Sequence, residues 1–365
     1  SDDFIELYRN DFGSFVRFAF DLIYGGVRFE PNWHIDVMAD YLEHCERGEI
    51  NRLIINVPPR SLKSFCASVA LPAWALARVP KRKVLGIGGN RGLREELATN
   101  VSLLMNAGRY RSVFPHVQPS ATNNGLTLPH GGSWKSQALS TPLTGQGADI
   151  VIIDDPLSPQ EAKKTSTRQQ VNEWFDENIE QRLNNKSKGI IIVVMQRLHH
   201  DDLTGHLLAK GADWTLVNIP AVAETDENWP LSDGSVHARK VGDLLFPQRD
   251  SQETLSDTLI NIGASKFAAQ YQQKPLLPSD SDDFYSGSYF RYDEDGNEQQ
   301  VLGRVSKAAI MLHELFGIGV HPIPPELNCP QADERRAREW FERVENEGDK
   351  PRPNYLDEMD KSTGK

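Results

Sequence analysis

The sequence predicts an α/β fold: a mostly parallel sheet with helices on both faces, then a small helical or irregular C-terminal segment. Three observations predict it. Short β-branched runs recur at residues 53–57, 84–87, 150–153, 189–195 and 214–219. Stretches of helical periodicity separate several of them, notably 91–107 and 167–183. The runs are apolar throughout, as in strands buried on both faces.

The elements follow in order. Residues 3–23 read as one amphipathic helix, with Phe4, Leu7, Phe15, Phe18 and Leu22 at near-helical spacing. A second helix over about 34–47 stops at Gly48. The run Leu53-Ile54-Ile55-Asn56-Val57 is short and ends sharply at Pro58-Pro59, which favours a buried strand. Residues 64–78 are helical, with a kink expected at Pro72. The strand–helix pattern ends near Ile219. Beyond it, 221–282 is loop-rich, with helices at 251–262 and around 265–273. Pro275, Pro278, Ser279 and Ser281, mixed with Asp280, Asp282 and Asp283, read as a linker. Helices at 301–316 and 331–346 and a disordered tail over 346–365 are expected after it.

At 365 residues the chain fits one large domain plus a smaller one. Its 39% hydrophobic and 25% charged content permits a substantial core and excludes global disorder. The net charge of -11 excludes a surface that is cationic all over, though not a local basic track. No long uncharged apolar run is present, so no membrane-spanning helix is expected. Cys45, Cys66 and Cys329 are far apart and form no CxxC pair, which argues against a disulfide scaffold or structural zinc and fits a reducing compartment. The opening Ser1-Asp2-Asp3-Phe4 has no signal-like stretch and no Met, as expected of a chain that starts inside a longer one.

Three motifs carry chemistry. Pro58-Pro59-Arg60-Ser61-Leu62-Lys63-Ser64 lies between a strand and a helix. A phosphate-binding loop there needs converging backbone N–H groups, a Lys for the β and γ phosphates, and a hydroxyl for Mg²⁺. Lys63 and Ser64 supply the last two, but Val57 and Leu62 stand where a P-loop has its glycines. Ile150-Val151-Ile152-Ile153-Asp154-Asp155 delivers two carboxylates at a strand end, suited to holding Mg²⁺ and activating water. The run 190–195 ends in Gln196-Arg197-Leu198-His199-His200-Asp201-Asp202-Leu203, again polar groups at a sheet edge. Together these make the fold a P-loop NTPase of the RecA or ASCE kind.

The motifs in this order resemble the ATPase part of a large terminase subunit, the DNA-packaging motor of tailed bacteriophages. The phosphate loop is similar to that family's Pro-Pro-Arg-x-Gly-Lys-Ser form, with Leu62 in place of Gly. Leu143-Thr144-Gly145-Gln146-Gly147-Ala148-Asp149 resembles the approach to its acidic motif. The segment from Gln196 resembles its coupling motif, and Phe267-Ala268-Ala269-Gln270-Tyr271-Gln272-Gln273-Lys274-Pro275 its end-of-ATPase segment. The resemblance covers about 13–276.

It implies an ATP-hydrolysing, Mg²⁺-dependent motor that moves double-stranded DNA into a viral procapsid. It divides the chain into a helical segment (1–50), an ATPase core (51–220), an extension (221–276) and a linker with a small C-terminal segment (277–365). Lys63 contacts the phosphates, Ser64 and Asp154 hold the metal, Asp155 activates water, and Arg60 senses the γ-phosphate. Pro59, Ser61 and Leu62 complete the cradle, Trp33 and His34 pack near the adenine, and Gln196 and Arg197 couple hydrolysis to movement. An arginine finger is expected from a neighbouring subunit, with Arg109, Arg168 and Arg182 as candidates. The implied partners are double-stranded DNA, the portal protein, a small terminase subunit and further copies of the chain in a ring. The implied location is the cytoplasm of the infected host, then the procapsid portal vertex. A nuclease is not expected, because the residues after Leu276 are too few for that domain. Lys81-Arg82-Lys83 and Lys186-Ser187-Lys188 are the basic clusters that could meet DNA phosphates. Two other readings stay open: a nucleotide-binding scaffold without turnover, and a helicase-like nucleic-acid ATPase.

Overall fold

The computed structural model describes residues 2–139, 147–211, 213–277, 284–292 and 298–317. The chain divides into two compact units. The first comprises Ser1–Leu245 with Ala269–Pro275, and the second Phe246–Ala268 with the chain from Leu276 onward.

The first unit opens with α1 (Asp2–Asn10), α2 (Phe12–Ile23) and α3 (Trp33–Glu46). The single helix expected over 3–23 is two helices. Asp11 breaks it by adopting an extended backbone and capping α2, its carboxylate accepting from Ser14 N at 2.6 Å. β1 (Arg52–Asn56) feeds the phosphate loop. The following helix is a π-helix over Phe65–Ala70 that becomes α4 (Leu71–Arg78). Pro72 sits in the first turn of α4, where its missing N–H costs little. β2 (Lys83–Gly88), α5 (Arg91–Asn106) and α6 (Gly108–Val113) follow. Three short strands, β3 (Ser120–Thr122), β4 (Gly125–Thr127) and β5 (Ser133–Ala138), had no apolar run to announce them. They are followed by β6 (Ile150–Asp154), α7 (Thr165–Asn178), β7 (Ile190–Met195), α8 (Leu203–Ala209) and β8 (Thr215–Asn218). The hairpin β9 (Glu227–Pro230) and β10 (Val236–Arg239) completes the unit's strands.

The sheet order is β3-β4-β5-β2-β6-β7-β1-β8. From β5 to β8 every neighbouring pair is parallel, and β4 alone runs against the rest, pairing antiparallel with both β3 and β5. One strand, β7, separates the strand before the phosphate loop from the strand bearing the paired aspartates. That is the RecA-like arrangement expected from the motifs.

Alternating side chains enter two separate cores. Leu53, Ile55, Ile150, Ile152, Ile190, Ile192 and Val194 join the core built with α2, α3, α4 and α5. Ile54, Val151, Ile153, Ile191, Val193 and Met195 join the one built with α7 and α8. Continuous apolar strands are thus explained by burial on both faces. Aromatics fill the first core: Trp74 Nε1 donates to Tyr8 O at 3.0 Å, and the buried Tyr110 hydroxyl to Ala73 O at 2.8 Å.

In the second unit, α9 (Gln252–Ile262) packs on α11 (Lys307–Phe316). The antiparallel pair β11 (Phe284–Tyr292) and β12 (Glu298–Ser306) precedes α11. The helix expected over 301–316 is therefore a strand to Ser306 and a helix only from Lys307. The apolar spacing of Val305, Ala308, Leu312 and Phe316 crossed that junction. The short helix α10 (Ala264–Gln270) precedes the returning segment. The helix expected at 331–346, the tail and the acidic stretch 280–283 lie outside the described residues.

Replacing Asp11 by Ala removes the cap that starts α2 and should lower unfolding stability by about 1 kcal/mol. A urea midpoint shifted downward with an unchanged m-value is the expected outcome.

Candidate nucleotide site

Parallel pairing sets the C-terminal ends of the strands level. Asn56 of β1 pairs with Met195 of β7, and Asp154 of β6 pairs with Val194 of β7 and Gly88 of β2. All the motifs begin where these strands stop, so the chemistry gathers on one sheet edge.

The phosphate loop takes a shape that its residue types disfavour. Arg60 and Leu62 both have left-handed backbone, with φ of 63° and 59°. Leu62 therefore adopts the conformation that a P-loop usually gives to Gly. The cost is about 1–2 kcal/mol of strain, tolerated because the half-buried Leu62 side chain packs on the first core. Left-handed residues on either side of Ser61 turn backbone N–H groups into a concave anion-binding nest. Ser61 is buried, and its Oγ has no hydrogen-bond partner among the described residues.

Lys63, 6% exposed, projects to Asp155, with Nζ 3.6 Å from Oδ2. Ser64 Oγ donates to Asp154 Oδ1 at 2.8 Å, joining residues 90 apart in the chain. Ser68 Oγ donates to the other oxygen of Asp154 at 2.5 Å. Asp154 is 1% exposed. Burial, then the charge of Asp155, raises its pKa well above the usual carboxylate range, against the opposing pull of Ser68, Ser64 and Lys63.

Asp155 is also strained, with φ of 38°. Its N–H donates to Val194 O at 3.0 Å, and its Oδ1 accepts from Gln196 N at 3.3 Å. Gly89 makes this turn possible, because a Cβ there would lie 2.3 Å from Asp155 O. Asp155 thus touches the phosphate loop through Lys63 and the coupling segment through Gln196. The Gln196 Oε1 is buried without a partner among the described residues.

The coupling segment is organised by Asp202, which is fully buried. Asp202 accepts from Arg197 Nε at 3.0 Å, Leu198 N at 2.9 Å, His199 N at 3.2 Å and Gly205 N at 3.0 Å, the last capping α8. Arg197 is committed to this carboxylate, and its N–H donates to Gln273 Oε1 at 2.9 Å. His199 Nδ1 accepts from Asp201 N at 3.0 Å. Burial, then Arg168 and His200, lower its pKa to about 4.

Sequence reasoning missed several of these contacts. Ser68 was legible as a hydroxyl one helical turn beyond Ser64. The buried bond from Thr204 Oγ1 to Asn56 Oδ1 at 3.1 Å, which ties α8 to β1, had no local signal. Nor did Gln272, which accepts from Val222 N at 3.0 Å and donates to Val222 O at 2.9 Å.

Other expected residues lie apart from this cluster. The Trp33 ring stacks on His237 at 4.2 Å, with Arg239 over it at 5.2 Å, so it packs with the β9–β10 hairpin. His34 is buried on α3. An adenine role for this pair rests on the resemblance alone. Arg60 is exposed at the loop tip. Among the finger candidates, Arg168 is buried, and its two Nη groups donate to Ala162 O at 2.7 Å and Thr165 Oγ1 at 3.2 Å within its own chain. Arg109 pairs with Asp21 at 2.5 Å, and Arg182 is half-buried. The two basic clusters lie at the opposite end of the strands, at the starts of β2 and β7 with β6 between them, and Arg82 is engaged by Glu46 at 2.6 Å. Residues 143–146 of the approach to β6 lie outside the described residues.

The donor set fits a magnesium nucleotide. A hydroxyl and a carboxylate oxygen converge, a buried ammonium stands beside them, and the loop holds the buried Ser61 hydroxyl, which has no hydrogen-bond partner among the described residues. Among the described residues no three His, Cys, Asp or Glu side chains cluster as a protein-only metal cage. That suits an ion bound mainly by phosphates and water. No described helix is long and apolar enough to cross a membrane.

No protein-family model and no curated protein matches the chain. Among solved structures, it is similar to a variant of the large terminase ATPase domain of Thermus phage P74-26. The identity is 14% and the TM-score 0.45, over 70% of this chain and 97% of that one. The large terminase of bacteriophage HK97 is 11% identical with a TM-score of 0.44, over 83% and 72%. The large terminase of a thermophilic bacteriophage, solved with ADP, is 9% identical with a TM-score of 0.40, over 83% and 73%.

Two stability predictions follow from the strained, buried cluster. Leu62→Gly relieves left-handed strain but loses packing, so its unfolding free energy should stay within about 1 kcal/mol of wild type. Leu62→Val, β-branched in the same conformation, should lose roughly 1–3 kcal/mol. Asp154 has a raised folded-state pKa, so its ionisation costs stability above that pKa. The cost fades as pH falls toward the unfolded value. Asp154→Asn should therefore unfold at higher urea than wild type at pH 8, by about 1 kcal/mol or more, and the gap should shrink at pH 5.

Proposed function

We propose that this chain is a Mg²⁺-dependent ATPase of the large terminase type, which hydrolyses ATP to drive double-stranded DNA into a viral procapsid. The observation that carries the reading is the meeting of Lys63 with Asp155 and of Ser64 with Asp154 at one sheet edge. Two loops distant in sequence supply the cation, hydroxyl and paired carboxylates that phosphoryl transfer to water needs.

In this reading the nest at 59–62 binds the phosphates through backbone N–H groups, and Lys63 neutralises the β and γ oxygens. Magnesium, when bound with the nucleotide, supplies charge neutralisation at the transferring phosphate. Ser64 and Asp154 are the residues that would hold it. Asp155 takes the proton of the attacking water, and Gln196 orients that water through its buried Oε1. Arg60 takes the γ-phosphate-sensing role, and Arg197, through Asp202 and Gln273, passes the change onward. The proposed partners are double-stranded DNA, a portal, a small terminase subunit and further copies of this chain. The proposed setting is the host cytoplasm and the procapsid vertex.

The joint presence of Lys63, Ser64, Asp154 and Asp155 at one sheet edge favours this reading over a nucleotide-binding scaffold without turnover, because binding alone does not need Asp155 as a base.

Phosphate release stimulated by double-stranded DNA tests the reading. Lys63→Ala should lower it at least about 100-fold. Asp155→Asn should lower kcat about 10²–10⁴-fold while nucleotide still binds. Wild-type turnover no faster than that of Lys63→Ala would sink the motor. Tight nucleotide binding without wild-type turnover would favour the scaffold instead.

A further inference from the structure

The helix leaving the phosphate loop carries two serines bonded to the same carboxylate, and they are not equivalent. Ser64 is half-buried at the mouth of the loop, where its Oγ meets Asp154 Oδ1 at 2.8 Å. Ser68 is 4% exposed, and its Oγ meets Oδ2 at 2.5 Å. It lies within the π-helical stretch Phe65–Ala70, whose wide register is marked by Leu71 N–H donating to Cys66 O. Such stretches are rare and are found mostly at functional sites.

We infer that Ser68 is a positioning residue for divalent-cation binding. It ties down Asp154 Oδ2 from inside the core and leaves Oδ1, shared only with half-buried Ser64, as the oxygen a cation meets. The inference rests on the nucleotide reading above. A lone buried carboxylate can rotate about its last bond or offer both oxygens at once. Mg²⁺ demands near-octahedral geometry and keeps several waters, so a carboxylate fixed to present one oxygen suits it. A hydroxyl-to-carboxylate bond is among the stronger anchors available once the acceptor is ionised, as a carboxylate that holds a cation is. Outer partners of this kind commonly set metal affinity as strongly as the ligands they orient.

The test uses the full chain, with Mn²⁺ as the probe ion, read by electron paramagnetic resonance in the presence of ADP. Ser68→Ala should weaken Mn²⁺ binding about 10- to 100-fold, while ADP affinity measured in EDTA stays at the wild-type value. Ser68→Thr keeps the hydroxyl and should restore Mn²⁺ binding. Equal loss of ADP affinity with and without metal would mark a merely structural residue and overturn the inference. Unaltered Mn²⁺ binding in Ser68→Ala would overturn it too, while leaving the nucleotide reading intact. Should that variant not fold, Ser68→Cys conserves volume with a poor donor, and wild-type Mn²⁺ affinity there would be equally fatal. A wild-type chain that binds no Mn²⁺ with ADP would overturn the nucleotide reading and this inference together.

Discussion

The structure turns on one buried carboxylate. Asp154 ends a strand covered on both faces and is nearly inaccessible to water, and among the described residues its carboxylate takes hydrogen bonds from two serine hydroxyls, with Lys63 and Asp155 beside it. A charge in such a place is costly unless it is compensated. Here the compensation is incomplete in the absence of ligand, and the carboxyl is correspondingly reluctant to ionise. A cation bound with nucleotide is the partner that would complete it. The site is therefore strained electrostatically in the direction that favours ligand binding.

Backbone strain tells the same story. Among the described residues, four that are not glycine have left-handed backbone: Arg60, Leu62, Asp155 and Gln273. Two are in the phosphate loop, one follows Asp154, and one accepts from the N–H of Arg197. Three of them are held by surroundings that fix them: the core beneath Leu62, the close approach of Gly89 to Asp155, and the side-chain bond of Gln273. Strain concentrated this way is expected where geometry serves a ligand rather than stability.

The hydrogen bonds also connect parts that must act together. Asp155 bridges Lys63 and the backbone of Gln196. Thr204, just beyond Asp202, reaches Asn56 at the base of the phosphate loop. In the proposed motor, a change at bound phosphates would have two short polar routes to the segment that begins at Gln196. Dense packing of the apolar strands below leaves little room for it to dissipate as local adjustment.

The sequence by itself determined the α/β class, the five parallel core strands, the phosphate loop and the paired aspartates. These rest on signals that are local: continuous apolar runs, and polar clusters at their ends. It misread the first helix because apolar periodicity continues across Asp11, and an N-cap competes with that periodicity only through its own backbone geometry. It misread 301–306 because spacing over a few residues cannot separate a strand end from a helix start. It gave no sign of β3 to β5, which are short and polar. What tertiary structure decided is whether Leu62 can do the work of a glycine. Propensity argues against it, since left-handed backbone is unfavourable for any side chain with a Cβ. The answer came from packing, which holds that side chain against the core and makes the strain bearable. Tertiary structure likewise brought Ser68 onto Asp154 and joined Asn56 to Thr204, because strand order, not spacing along the chain, decides which side chains share an edge.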